Sequence, residues 1–222
     1  NASKRINMKY GIIGFSGRMG HEIDELFREK GHECVLLIDD KTEKVESVPE
    51  VILDFSLPSG IEKTITNVRK YQCALITGVT GYSAEQLEAI RALGQEVPVV
   101  QSFNFSLGIQ LMLKMVNLLK EPLKDWDVEI AETHHRFKKD KPSGTAKMLA
   151  ATIGREVPTS SFRLGNVLGD HSIAFGSLGE IITLSHRTLS RRAFAEGALL
   201  SAEFAIRQKS GYFTFTDVLS QD

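Results

Sequence analysis

The chain has 222 residues, 42% apolar and 25% charged, with 18 glycines and 6 prolines, which excludes collagen-like and disordered classes and leaves one large domain or two small ones of ~100 to 200 residues. Its 27 Lys and Arg against 28 Asp and Glu give a net charge of -1, so no whole-molecule field draws in nucleic acid or an anionic membrane. From Lys9 to Ser102, short apolar runs alternate with amphipathic segments, the pattern of βαβ units around a parallel sheet. The expected strands are KYGIIGF, ECVLLID, VILDFS, CALITG and PVVQS. Between them, Met19, Ile23, Leu26 and Lys30 trace a helix ended by Gly31, and Ile61, Ile65 and Val68 trace another entered through Pro58. A third starts at Ser83, where Ser83 and Gln86 have capping-box spacing.

Beyond residue 105 the pattern changes. A long helix, SLGIQLMLKMVNLL, leads to a strand, DVEIAETHH, a helix from Ser143, strand-like segments over 161–188, and a final amphipathic helix, RRAFAEGALLSAEFAIRQ. This predicts a second, α+β unit. The stretch IQLMLKMVNLL is broken by Gln110, Lys114 and Asn117, short of the ~18 uninterrupted apolar residues of a membrane span. Cys34 and Cys73 lie in apolar runs without zinc or redox-pair spacing, which reads as buried reduced thiols in a cytoplasmic protein. The opening NASKRIN has neither periodicity nor the hydrophobic region of a signal peptide and is set aside as an appended remnant.

The first motif with chemistry is GFSGRMG, Gly14 to Gly20, between a strand and a helix, where main-chain N–H groups and the helix dipole can hold a pyrophosphate. Ser16 stands where the second glycine of GxGxxG belongs, and the spacing is GxxGxxG; a tight structural turn would use the same glycines. Asp39, 19 residues after Gly20 at the end of the second strand, can accept hydrogen bonds from ribose hydroxyls. Asp39 beside Asp40 would repel a 2'-phosphate, with Lys41 offsetting this in part, so NADH is expected to serve at least as well as NADPH. TGVTG at 77–81 and QSFNFS at 101–106 follow strands, where ligands sit in a doubly wound sheet, or where ordinary turns occur.

The densest signal is ETHHRFKKDKPSGTA, residues 132–146. Between His134 and Lys147 stand two histidines and five Lys or Arg against one acid, Asp140, followed by Pro142-Ser143-Gly144-Thr145 opening a helix. A histidine titrating near neutrality, lysines and a helix N-terminus together supply a proton donor and an anion clamp. A solvated basic turn with Ser143 as a helix cap is the plain alternative. No aromatic platform accompanies the cluster as nucleic acid would want. Neighbouring His134 and His135 on a strand face opposite ways, so no metal site is expected.

GFSGRMG, TGVT, SFNFS and HHRFKKDKPSGTA, in this order, resemble the 4-hydroxy-tetrahydrodipicolinate reductase family of the diaminopimelate and lysine pathway, from Met8 nearly to the C-terminus. The resemblance implies a Rossmann-like dinucleotide-binding domain of residues 1–105 and 192–222, and an α+β substrate-binding and oligomerisation domain of 106–191, in a homotetramer. It implies His134 as proton donor and acceptor and Lys138 as the second catalytic donor, with His135, Gly144 and Thr145 holding the carboxylates of a small dicarboxylate substrate. It implies NADH or NADPH on Gly14, Phe15, Ser16, Gly17, Arg18, Met19, Asp39, Gly78, Val79, Thr80, Ser102, Phe103, Asn104 and Phe105. The chain departs from the family at Val79, usually Thr, and at Lys141, usually a small residue. The implied chemistry is hydride transfer from the nicotinamide to C4 of the ring, with proton donation as hydroxide leaves as water.

Two other readings share parts of this pattern. A homoserine or aldehyde dehydrogenase would share the dinucleotide half by fold, although the aldehyde enzyme would want a nucleophilic Cys in the second half, and both cysteines lie in the first. A nucleotide-sensing protein without catalysis would have no use for His134 and Lys138 ahead of an anion-binding helix.

Overall fold

A computed structural model describes residues 7–40 and 42–220; the readings of residues 1–6 and of Lys41 fall outside these. The chain divides into two compact units, Asn1–Phe105 with Phe194–Asp222, and Ser106–Ala193. The second junction is two residues later than the expected 191/192 boundary.

The first unit contains β1 (Lys9–Ile13), α1 (Arg18–Glu29), β2 (Glu33–Ile38), β3 (Glu43–Val45), β4 (Val51–Asp54), α2 (Ile61–Tyr71), β5 (Ala74–Thr77), α3 (Ala84–Leu93) and β6 (Pro98–Gln101). Its seven-stranded sheet has the order β11-β6-β5-β4-β1-β2-β3, where β11 is Gly211–Thr214. All pairings are parallel except β2 with β3. Strand alternation sends neighbouring residues into two cores. Tyr10, Ile12, Val51, Leu53, Ala74, Ile76 and Val100 join α1 on one face, while Ile13, Ile52, Leu75 and Val99 join α2 and α3 on the other. This double burial explains why these strands read as continuous apolar runs.

Local signals end the helices where the sequence places them. α1 closes into Gly31, at φ +89, a conformation glycine adopts without steric cost. Ser83 makes both halves of a capping box with Gln86, worth about 1 kcal/mol. β3 and β11 were not expected: the first is wholly exposed and the second is a half-exposed edge, so neither shows an apolar alternation.

The second unit holds α4 (Leu107–Leu119), β7 (Asp127–His134), α5 (Gly144–Ile153), β8 (Thr159–Arg163), β9 (Asp170–Gly176) and β10 (Ile181–Arg187). Its sheet runs β10-β9-β7-β8. Ile109, Met112 and Val116 of α4 and Ala146 and Leu149 of α5 bury Val128, Ile130, Ile173 and Phe175 of one sheet face. α6 (Arg192–Ala205) then fills the first unit's core with Ala195, Ala198, Leu199 and Ala202, and α7 (Phe215–Val218) follows β11.

Candidate active site

In the first unit, parallel strands put the carboxyl ends of β1, β4, β5 and β6 on one edge, and the strand order reverses direction between β1 and β4. That is the switch point at which doubly wound sheets bind ligands. The loop Gly14 to Gly20 sits there. Gly14 has φ +80 and packs on Ser56, while a Cβ on Gly20 would lie 2.5 Å from the Gly14 carbonyl oxygen. The glycines therefore let α1 start against the loop itself. No side chain caps α1, and its first turn carries no acid, so its N-terminus suits an anionic group such as a pyrophosphate.

Asp39 is half-buried and its Oδ2 accepts the Ser16 N–H at 3.0 Å. The exposed Lys63 donates its Nζ to the Asp39 carbonyl at 3.1 Å. The buried Asp54 carboxylate, its pKa raised by burial, accepts the Ser56 N–H and hydroxyl and the Thr64 hydroxyl, which fixes the loop that packs on Gly14. Not every proposed cofactor residue offers its side chain. Phe15 and Met19 lean on the apolar core and Phe105 packs at tilted angles against Phe55 and Phe215, while Val79 is buried. Ser102 is engaged with Asn104 through both its hydroxyl donor and acceptor. Gly17, Arg18, Thr80 and Phe103 are exposed and Gly78 half-exposed.

In the second unit the site grows from strand register. The alternation that buries Val128 and Ile130 also turns Glu132 and His134, 1% and 8% exposed, to the same face at the strand end. Parallel pairing sets Arg163 beside His134, and antiparallel pairing sets His171 opposite Glu132. Glu132 Oε2 accepts the His134 Nδ1–H at 2.5 Å. Arg163 lays its Nη1 and Nη2 on the two Glu132 oxygens at 2.9 Å each. Burial would raise the Glu132 carboxyl, but Arg163 and His134 hold it down to about 2. Because Glu132 is ionised, Nδ1 carries the His134 proton and Nε2 is left as the nitrogen not committed to Glu132.

Burial pushes the His134 imidazole below its usual range; Glu132 opposes this, and Lys138 and Arg163 add to it. The His171 ring meets His134 edge-on at 5.0 Å, and burial drives His171 from 6.5 down to about 3. It stays neutral and shares a hydrogen bond with the Ser143 hydroxyl at 3.2 Å. Lys138 pairs through Nζ with Asp140 at 2.8 Å. Ser143 caps α5 by accepting from Ala146 N–H, while its own N–H donates to Glu132. Gly144 and the buried Thr145 open that helix. His135 is half-buried, and Arg136, Lys139, Lys141 and Lys147 are exposed. Lys141 thus faces solvent, and it precedes a cis proline.

Glu132, Arg163 and His171 were not singled out from the sequence. The first could have been, since it stands two residues before His134 on a strand. Among the described residues no group of three or more His, Cys, Asp or Glu forms a metal site.

Comparison with known proteins places both units. Residues 8–105 match the family model described as dihydrodipicolinate reductase, N-terminus, and residues 108–219 the one for its C-terminus. A 4-hydroxy-tetrahydrodipicolinate reductase of Thermosipho africanus is 44% identical over 214 residues, covering 96% of this chain and 99% of that one. One of Nitratiruptor sp. is 33% identical over 251 residues, with 96% and 99% covered. The solved dipicolinate-bound dihydrodipicolinate reductase of Paenisporosarcina sp. TG-14 shares the fold, with a TM-score of 0.76 at 24% identity over 94% of this chain and 98% of that one. Matched along both units and to relatives covered nearly end to end, the chain belongs to the dihydrodipicolinate reductase family.

Proposed function

We propose that the chain reduces 4-hydroxy-tetrahydrodipicolinate to tetrahydrodipicolinate, taking one hydride and one proton and releasing water, in diaminopimelate and lysine synthesis. The observation that carries this reading is His134 held by Glu132 in the same loop system as Lys138 and the first turn of α5. His134 Nε2 delivers the proton, an acid step worth ~100- to 10,000-fold. Lys138, His135 and the Gly144 and Thr145 amides neutralise the two carboxylates and orient the ring. When bound, the dihydronicotinamide supplies the hydride. The uncapped start of α1 and the carboxylate of Asp39 would hold its pyrophosphate and ribose.

NADH serves at least as well as NADPH in this reading, since Asp39 and the exposed Asp40 repel a 2'-phosphate. Lys63, which reaches the Asp39 main chain, keeps NADPH usable. The chain works as a homotetramer through the second unit, whose sheet and α4 expose Phe162, Ile181, Leu111 and Leu118. The buried thiols of Cys34 and Cys73, pushed up to about 11 and about 12 by burial, suit a reducing cytoplasm. The test is NADH oxidation, followed by absorbance, with freshly generated hydroxy-tetrahydrodipicolinate. Substrate-dependent oxidation is expected; none with either cofactor would overturn the reading. Light scattering at working concentration should give four chains, and a monomer would remove the tetramer.

A further inference from the structure

We propose that Glu132 and Arg163 are positioning residues of this reaction, a buried pair that fixes the His134 ring, the Lys138 loop and the first turn of α5 as one body. The inference rests on the reductase reading for its kinetic consequence, but its geometry stands apart from it.

A guanidinium has five N–H donors in a planar fork. Arg163 uses every one. Two meet the Glu132 carboxylate. Nε donates to the Lys138 carbonyl at 3.1 Å, the second Nη2 hydrogen to the Asp140 carbonyl, and the second Nη1 hydrogen to the Phe162 carbonyl at 2.6 Å. The fork thus grips the main chain at the very residue that carries the Lys138 ammonium and again two residues on. Glu132 is as fully employed: besides Arg163 it accepts His134 Nδ1–H and the Ser143 N–H. Two side chains therefore connect the proton donor, the second donor's loop and the anion-binding helix start. A buried pair needed only for packing would have no reason to hold these three parts.

Lysine cannot replace Arg163, because three tetrahedral donors cannot match the fork and both loop carbonyls. An error on the order of 1 Å in the donor or the lysine costs on the order of 100-fold in rate. Glu132 also sets the charge of His134. The groups facing that imidazole are Glu132 on its own strand, Arg163 on β8, His171 on β9 and Lys138 in the following loop. His171 stays neutral in the working range and the other two are cationic, so Glu132 is the group that favours protonation.

The experiment compares wild type with Arg163→Lys, Glu132→Gln and the apolar double variant Glu132→Met with Arg163→Leu. It reads kcat, the KM for NADH, thermal midpoints and the NMR titration of the His134 imidazole. Arg163→Lys is expected to lose roughly 100-fold in kcat, with the NADH KM and the His134 midpoint close to wild type. Glu132→Gln is expected to move the His134 midpoint, and the fall of kcat with rising pH, to lower pH. The double variant, which avoids the cost of an unpaired buried charge that either single loss carries, is expected to be at least as slow as Arg163→Lys. Folded variants with wild-type kcat and an unmoved His134 midpoint would overturn the proposal. So would a double variant of normal activity if the single variants fail to fold. A wild-type chain without reductase activity would instead sink the reductase reading, while a displaced His134 midpoint in Glu132→Gln would still uphold the arrangement.

Discussion

In the first unit the candidate nucleotide loop is made of main chain: glycines at 14, 17 and 20, an uncapped helix start, and an aspartate that ties down one loop amide. In the second unit the candidate catalytic groups are side chains held by other side chains, with Glu132 and Arg163 buried between them. A main-chain site tolerates substitution wherever a side chain points away, and fails only where a Cβ closes the gap. A side-chain site fails at each member, and breaking its buried pair by removing one partner costs about 3–5 kcal/mol of stability as well. The same distinction accounts for a candidate nucleotide motif in which several residues direct their own side chains into the core.

Substitutions should separate the two designs. The largest effect is expected from His134→Gln, with a kcat lower by at least ~100-fold while NADH affinity stays nearly intact; Lys138→Ala should follow it, and near-normal turnover by both would show that the second unit is not the side-chain site described. Gly20→Ala should do the reverse. Its methyl would press on Gly14 and Phe15, costing about 1–3 kcal/mol of stability and weakening NADH binding about tenfold or more, measured by fluorescence titration; unchanged binding would mean that the loop is only a turn. Asp39→Ala, which frees the Ser16 amide and removes a ribose acceptor, should cost roughly 1–2 kcal/mol in NADH binding. Lys63→Ala is the mildest, a few-fold weaker binding of NADPH with NADH unaffected, consistent with about 1 kcal/mol for an exposed ion pair.

Acid stability offers a further contrast inside the second unit. His171 has a folded pKa far below its usual 6.5, so protons bind the unfolded chain better and stability falls as pH drops from 6.5 toward 3. Glu132, held at about 2 against an ordinary 4.5, contributes stability that is complete above 4.5 and lost as pH falls from there to about 2. Thermal midpoints across pH should therefore decline in two overlapping stages, and His171→Gln should flatten only the upper one. A midpoint independent of pH between 6.5 and 3 in the wild type would contradict the buried neutral imidazole.

Local features carried most of what was legible beforehand. Continuous apolar runs marked the doubly buried strands, Ser83 and Gly31 marked helix limits, and HHRFKKDKPSGTA marked the loop that holds His134 and Lys138. The partners that hold this loop were not legible for a physical reason. Arg163 reaches His134 only through the parallel register of β8 on β7, and His171 reaches Glu132 only through the antiparallel register of β9. Neither pairing leaves a trace in residue spacing. The proposed cofactor segments show the opposite limit: the motif marks the stretches, but it does not distinguish Phe15, Met19, Val79 and Phe105, whose side chains are packed inward, from Arg18 and Phe103, which face out.

The closure of α6 onto the first unit has a practical corollary. Gly197 touches the main-chain oxygen of Phe105 so closely that no Cβ fits between them, and Phe215 also packs beside it. The nucleotide-binding unit is thus a single globule written in two sequence pieces, with the 106–193 segment spliced into it. A fragment stopped at residue 105 would display the surface that Ala195, Ala198, Ala202 and Phe204 normally cover and should aggregate. Joining residue 105 to 194 through a short linker should instead give a stand-alone nucleotide binder, a scaffold into which other catalytic inserts could be grafted.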